Sequence, residues 1–83
     1  MLEILYRTPA QRVLARLPRD RAATIQSKIT QLAIAPETLA NNLKAVKGSD
    51  AMRLRVGDWR VFFRLRDQTL EVITIEPRGR AYR

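Results

Sequence analysis

Residues 52–63, MRLRVGDWRVFF, constrain the fold of this chain more than any other stretch. Two alternating runs flank Gly57-Asp58, a two-residue hairpin turn signal. Pairing outward from that turn sets Val56 opposite Trp59, Arg55 opposite Arg60, Leu54 opposite Val61 and Arg53 opposite Phe62. Side chains alternate faces along a strand, so Met52, Leu54, Val56, Trp59, Val61 and Phe63 share an apolar side. Arg53, Arg55 and Arg60 share the other, with no acid among them. Like charges directly opposite each other destabilise a sheet, so folding alone gives no reason for this arrangement. An anion bound at that face supplies one, and a phosphate backbone is the densest common anion. The plainer reading is a set of solvated arginines.

Charge across the whole chain points the same way. Sixteen Lys and Arg against eight Asp and Glu leave a net charge of +8, which favours nucleic acid, ribosome, anionic membrane or an acidic protein as partner. At 83 residues the chain is one domain, residues 1–83, near the size at which a single core barely supports itself. It contains no cysteine, hence no disulfide or thiolate metal site, and no histidine, which removes the usual general base and zinc ligand. No cofactor is expected. Apolar residues at 46% with 29% charged argue against disorder. No apolar run approaches the ~20 residues of a membrane-spanning helix. The opening Met1-Leu2-Glu3-Ile4-Leu5 carries an early acid and no basic leader, unlike a signal peptide, so the expected location is the cytoplasm.

Residues 2–7 read as a short strand with Ile4 and Tyr6 on one face. Thr8-Pro9 is a helix start, with Thr8 as N-cap, and Ala10, Val13, Leu14 and Leu17 then form an amphipathic stripe that Pro18 stops. A second helix is expected from about Arg19-Asp20 to Ala35, capped by Asp20, with Ala22, Ile25, Ile29, Leu32 and Ala33 buried and Pro36 as its end. Residues 37–50 read as a polar connector anchored by Leu39 and Leu43, with a turn at Gly48-Ser49-Asp50. Three strands follow, over residues 52–56, 59–66 and 70–75. A turn at Asp67-Gln68 sets Leu65 opposite Leu70, Phe63 opposite Val72 and Val61 opposite Thr74. The same register sets Arg64 against Glu71, a cross-strand ion pair that accounts for Arg64. Arg53, Arg55 and Arg60 gain no such partner. The expected class is α+β, with order β-α-α-β-β-β: an antiparallel sheet with an N-terminal helical hairpin packed on its apolar face.

The hairpin at residues 52–61, the preceding Leu43-Lys44 and Lys47-Gly48-Ser49-Asp50, and the tail IEPRGRAYR resemble the RelE/ParE superfamily of toxins from bacterial type II toxin–antitoxin systems. The resemblance covers essentially the whole chain and rests on the order and spacing of the motifs together. It implies the RelE-like fold and a cognate antitoxin as partner. RelE-type members cut mRNA in the ribosomal A site. ParE-type members share the fold and poison DNA gyrase without nuclease activity. By the resemblance, the RelE-type catalytic positions fall here on Arg53, Arg55, Arg60, Arg78 and Tyr82. Glu76-Pro77 stands where the family often carries a glycine, and a further C-terminal helix of some members is missing.

The RelE-type reaction is attack of a ribose 2′-OH on the adjacent phosphodiester, without a metal. It needs charge where the phosphorane develops and proton transfer at both oxygens. A guanidinium fork matches two phosphate oxygens, which suits Arg60 and Arg78. Arginine stays protonated to a pKa above about 12 and is a poor base. Relatives often carry lysine where this chain has Arg53 and Arg55, so Tyr82 remains the candidate for proton transfer. Lys44, Lys47, Arg80 and Arg83 are candidate RNA-phosphate contacts, and each alone also reads as solvated surface. Phe62 sits on the arginine face opposite Ile73, where it stacks a base or packs beneath a loop or the antitoxin. Trp59 reads as core. Arg7, Arg12, Arg16, Arg19 and Arg21 read first as the solvated face of the helical hairpin and second as ribosome contacts. The expected function is a ribosome-dependent mRNA endonuclease; the alternatives are a gyrase inhibitor without nuclease activity and an inactive nucleic-acid-binding relic.

Overall fold

The computed structural model describes residues 1–78. Strand β1 (Glu3–Tyr6) leads through Arg7, the N-cap, into helix α1 (Thr8–Arg16). Pro9 sits in its first turn, where a missing N–H costs nothing. The cap is therefore one residue earlier than Thr8. Leu17 closes α1, and Pro18 serves as N-cap of helix α2 (Arg19–Ile34). Asp20 lies inside the first turn of α2 rather than at its cap, where its charge still complements the helix dipole. Pro36 opens a 3-10 segment (Pro36–Asn42), which runs directly into the short strand β2 (Leu43–Ala45). The sheet is completed by β3 (Met52–Val56), β4 (Trp59–Arg66) and β5 (Thr69–Pro77).

The α+β class and the succession of strand, two helices and strands are as expected. Two features correct the expectation of a plain connector and an all-antiparallel sheet. The connector is not irregular: it holds the 3-10 segment and β2, which pairs with β3 at the sheet edge. The sheet is also mixed, in the order β1-β5-β4-β3-β2, with β1 parallel to β5 and the other neighbours antiparallel. Tight turns force β3, β4 and β5 to reverse. A helical hairpin separates β1 from them, so no local turn dictates its direction.

The core forms where one face of the sheet meets the helices. Ile25 and Ile29 from α2 pack with Leu54, Val61, Phe63, Leu70, Val72 and Ile75, all almost fully buried. Each such side chain contributes about 1.5–3 kcal/mol relative to exposure, which holds the hairpin on the sheet. Leu32, Ala33 and Leu39 extend the cluster, while Val13, Leu14, Leu17 and Trp59 pack against its edge.

The β3–β4 register is as expected, with Gly57 at φ +58 in the turn. The β4–β5 register is as expected from Leu65↔Leu70 to Phe63↔Val72 and then shifts. Phe62 faces Thr74 and Val61 faces Ile75, because Ile73 is an extra residue at a β-bulge. Unbroken alternation after Leu70 and Val72 would turn Thr74 and Glu76 into the core and Ile75 out. Burying an unpaired carboxylate costs several kcal/mol. The bulge avoids that: Ile75 is 1% exposed, and Thr74 and Glu76 lie on the opposite face.

Candidate functional site

The sheet face away from the helices carries the basic residues. Arg55 stands opposite Arg60 across β3–β4, as the turn dictates, and Lys44 stands opposite Arg53 across β2–β3. The second like-charge pair depends on β2, which is too short to announce itself by periodicity. Arg78 joins them from beyond β5. Its backbone N–H donates to the Asp58 carbonyl at 2.6 Å, tying the end of β5 to the hairpin turn.

These residues line one cleft of ≈ 420 Å³ at the end of the sheet. Among the described residues, its cations are Lys44, Arg53, Arg55, Arg60 and Arg78. Arg55, Arg78 and Lys44 are exposed, Arg53 is half-buried, and Arg60 is buried at the floor. A carboxylate or phosphate entering this cleft meets positive charge from three strands, with several guanidinium groups able to bind oxygens in pairs. Gly57, Trp59, Leu43 and the amides Asn41 and Asn42 complete the walls.

The bulge changes one expectation about this face. Arg60 was expected to lack an acidic neighbour, yet Glu76 is its register partner on β5. Arg60 is 9% exposed and is not a free cation in the structure. Arg64 behaves as expected: its Nε lies 3.4 Å from Glu71 Oε1, and a longer contact of 3.9 Å reaches Asp50. Glu71 is shared, because Arg7 Nε lies 2.7 Å from its other oxygen. Arg7 thus anchors the β1–α1 junction to β5 and is not part of a free basic surface, whereas Arg12, Arg16, Arg19 and Arg21 are exposed on the hairpin.

Of the residues singled out in the sequence, Arg53, Arg55, Arg60, Arg78 and Lys44 come together. Phe62 lies on the same face, half-buried beside Arg53 and facing Thr74 rather than Ile73, and it does not line the cleft. Lys47 is exposed in the turn after β2, outside the lining. Tyr82, Arg80 and Arg83 lie outside the described residues. Sequence reasoning missed Asn41, Asn42 and the half-exposed side of Trp59. The Asn-Asn pair was the available signal, hidden by its place in an apparently featureless connector.

The matching family model is described as the ParE toxin of the type II toxin–antitoxin system parDE, and it spans residues 4–82. The chain belongs to this toxin family. It is a type II toxin of the RelE/ParE superfamily, and its fold agrees. The toxin resembles RelE in an archaeal RelE–RelB complex from Pyrococcus horikoshii OT3, at 21% identity and a TM-score of 0.80, over 95% of this chain and 97% of that one. Against the intact E. coli RelBE complex the TM-score is 0.77 at 14% identity, over 96% and 100% of the two chains. YafQ from E. coli strain BL21(DE3) matches over 100% of both chains, with a TM-score of 0.73 and 14% identity. At such identities the likeness is one of fold. No curated protein matches the toxin's sequence. Among the toxin's described residues, no helix is long and apolar enough to cross a membrane.

Proposed function

We propose that this toxin is an endoribonuclease that cuts mRNA on the translating ribosome. The observation that supports it is the convergence of Arg53, Arg55, Arg60, Arg78 and Lys44 on one cleft. The Lys44–Arg53 cross-strand pair sets like charges opposite each other, an arrangement that a bound polyanion relieves. In the proposed reaction the ribose O2′ attacks the neighbouring phosphorus as the P–O5′ bond breaks, leaving a cyclic phosphate and a 5′-OH. One proton leaves O2′ and one reaches O5′. Arg60 and Arg78 bind the non-bridging oxygens and stabilise charge as the phosphorane forms. Arg53 and Arg55 stabilise the leaving oxygen. Tyr82 takes part in proton transfer, since the arginines stay protonated at neutral pH. Membership of a type II system argues for a cognate antitoxin. Solved complexes of RelE with RelB share the fold, and an acidic antitoxin segment lying over the basic cleft would silence it.

The second reading is a gyrase inhibitor without nuclease activity, favoured by the description of the matching family as ParE. Cell-free translation of a defined mRNA separates the two. Codon-phased cuts that need ribosomes and fall about 100-fold or more in Arg60→Ala support the nuclease. Arg55→Ala, at an exposed position, should show the same loss without threatening the fold. Tyr82→Phe cutting at the wild-type rate would remove Tyr82 from the reaction. Soluble, folded toxin that makes no cuts but inhibits supercoiling would establish the second reading.

A further inference from the structure

The five cations that line the cleft among the described residues suit phosphate but carry hydrogen-bond donors only, so none of them distinguishes one base from another by a paired donor and acceptor. Asn41 and Asn42 are different. Both are exposed, both line the cleft beside Lys44, and neither side chain makes a hydrogen bond among the described residues. The segment that carries them is held at its start and middle. Gln31 Nε2 donates to Thr38 Oγ1 at 2.8 Å, Thr38 Oγ1 donates to the Ala35 carbonyl at 2.7 Å, and Leu39 is 4% exposed in the core. Two unengaged carboxamides therefore project from a fixed support into a cationic cleft. Trp59, half-buried against the core, contributes to the wall of the same cleft and also to a hollow beside Arg21 and Thr24 of α2.

We infer that Asn41 and Asn42, with Trp59 as a stacking surface, form a base-reading subsite next to the phosphate clamp, with adenine as the preferred base. This rests on the cleft binding RNA phosphate. A carboxamide offers a donor and an acceptor side by side. Every unpaired base presents such a pair on its Watson–Crick edge, but only adenine presents one on its Hoogsteen edge as well, so carboxamides that meet the Hoogsteen edge select adenine. The aromatic surface holds the base without regard to identity, and the amides select it.

The chain contains a single tryptophan, so quenching of its fluorescence reports occupation of the cleft without a label. The probes are 2′-O-methyl hexamers of A, C, G and U, which cannot be cleaved. Wild type should bind the A hexamer about 10-fold more tightly than the others, within the range of one bidentate base contact. In Asn41→Ala and Asn42→Ala that preference should shrink to about threefold or less, with affinity for the other three hexamers and the salt dependence unchanged. A wild type with no preference for A, or amide variants that keep it, would overturn the inference. The underlying reading fails separately. If no hexamer binds, or if Arg55→Ala leaves binding unchanged, the cleft is not an RNA-phosphate site and both ideas fall. If Arg55→Ala abolishes binding while the base ratio survives in the amide variants, only the base-reading role falls.

Discussion

Tyr6 ends β1 against the core, and burial raises its hydroxyl above the ordinary tyrosine value of 10.0. The folded chain therefore holds that proton more tightly than the unfolded chain. Its contribution to stability is complete below pH 10 and is lost as pH rises through the raised folded value. Thermal melts from pH 8 to about pH 11.5 should show wild type losing stability relative to Tyr6→Phe only above about pH 10. Parallel profiles across the range would refute this. At this scale, side chains were legible in the sequence where register ran unbroken from a turn. Arg64 and Glu71 each lie three residues from the Asp67-Gln68 turn, and their contact is as expected. Arg60 and Glu76 are separated from the same turn by the bulge, so counting alone sets the wrong residue opposite Arg60. Arg7 is exposed, as read, but its ion pair with Glu71 was not legible. Its partner lies on a parallel strand brought alongside by tertiary packing, which no local pattern encodes.

Both central residues of the β4–β5 turn have positive φ, Asp67 at +50 and Gln68 at +63. This is the backbone sign of a type I′ hairpin turn, whose twist matches the flanking strands. Asp tolerates that region, while Gln lacks a short side chain to bond locally and pays a steric penalty. Gln68→Gly should relieve it. Part of the gain is offset by greater freedom in the unfolded chain, leaving about 0.5–1 kcal/mol of stabilisation. Urea unfolding at constant m-value would measure it, and an unchanged or lower midpoint would contradict the strain. The Glu3 N–H to Gln68 carbonyl bond is made by backbone and survives the change. The helices were legible because Pro9, Pro18 and Pro36 punctuate stripes of regular period. The 3-10 segment and β2 were not. Leu43-Lys44-Ala45 is too short for alternation to register, and the strand exists because the edge of β3 is there to receive it.

Across the whole molecule the charge is distributed unevenly over the sheet. One end gathers the cleft cations, and the other carries the Arg7–Glu71–Arg64 bridge. Affinity for single-stranded RNA should fall with salt with a log–log slope of about −0.7 per phosphate contact, and Arg55→Ala should reduce its magnitude by about that amount. Glu76→Gln removes the acid facing Arg60 and should tighten binding at low salt. Salt-independent binding, or weaker binding by Glu76→Gln, would contradict this account. The general location of the basic face could be read from the hairpin alone, but its enclosure into a cleft required β2 and the tie between Arg78 and Asp58. The strand order has one more consequence, in the timing of synthesis. Among the described residues, β5 is the last strand made, yet it lies inside the sheet and is the only strand neighbour of β1. The first strand therefore waits unpaired while everything between is translated, and the sheet closes only once residues 69–77 have emerged. For a protein proposed to attack translating ribosomes, the sheet that carries the cleft stays open on the ribosome that makes it until residue 77 has left the exit tunnel.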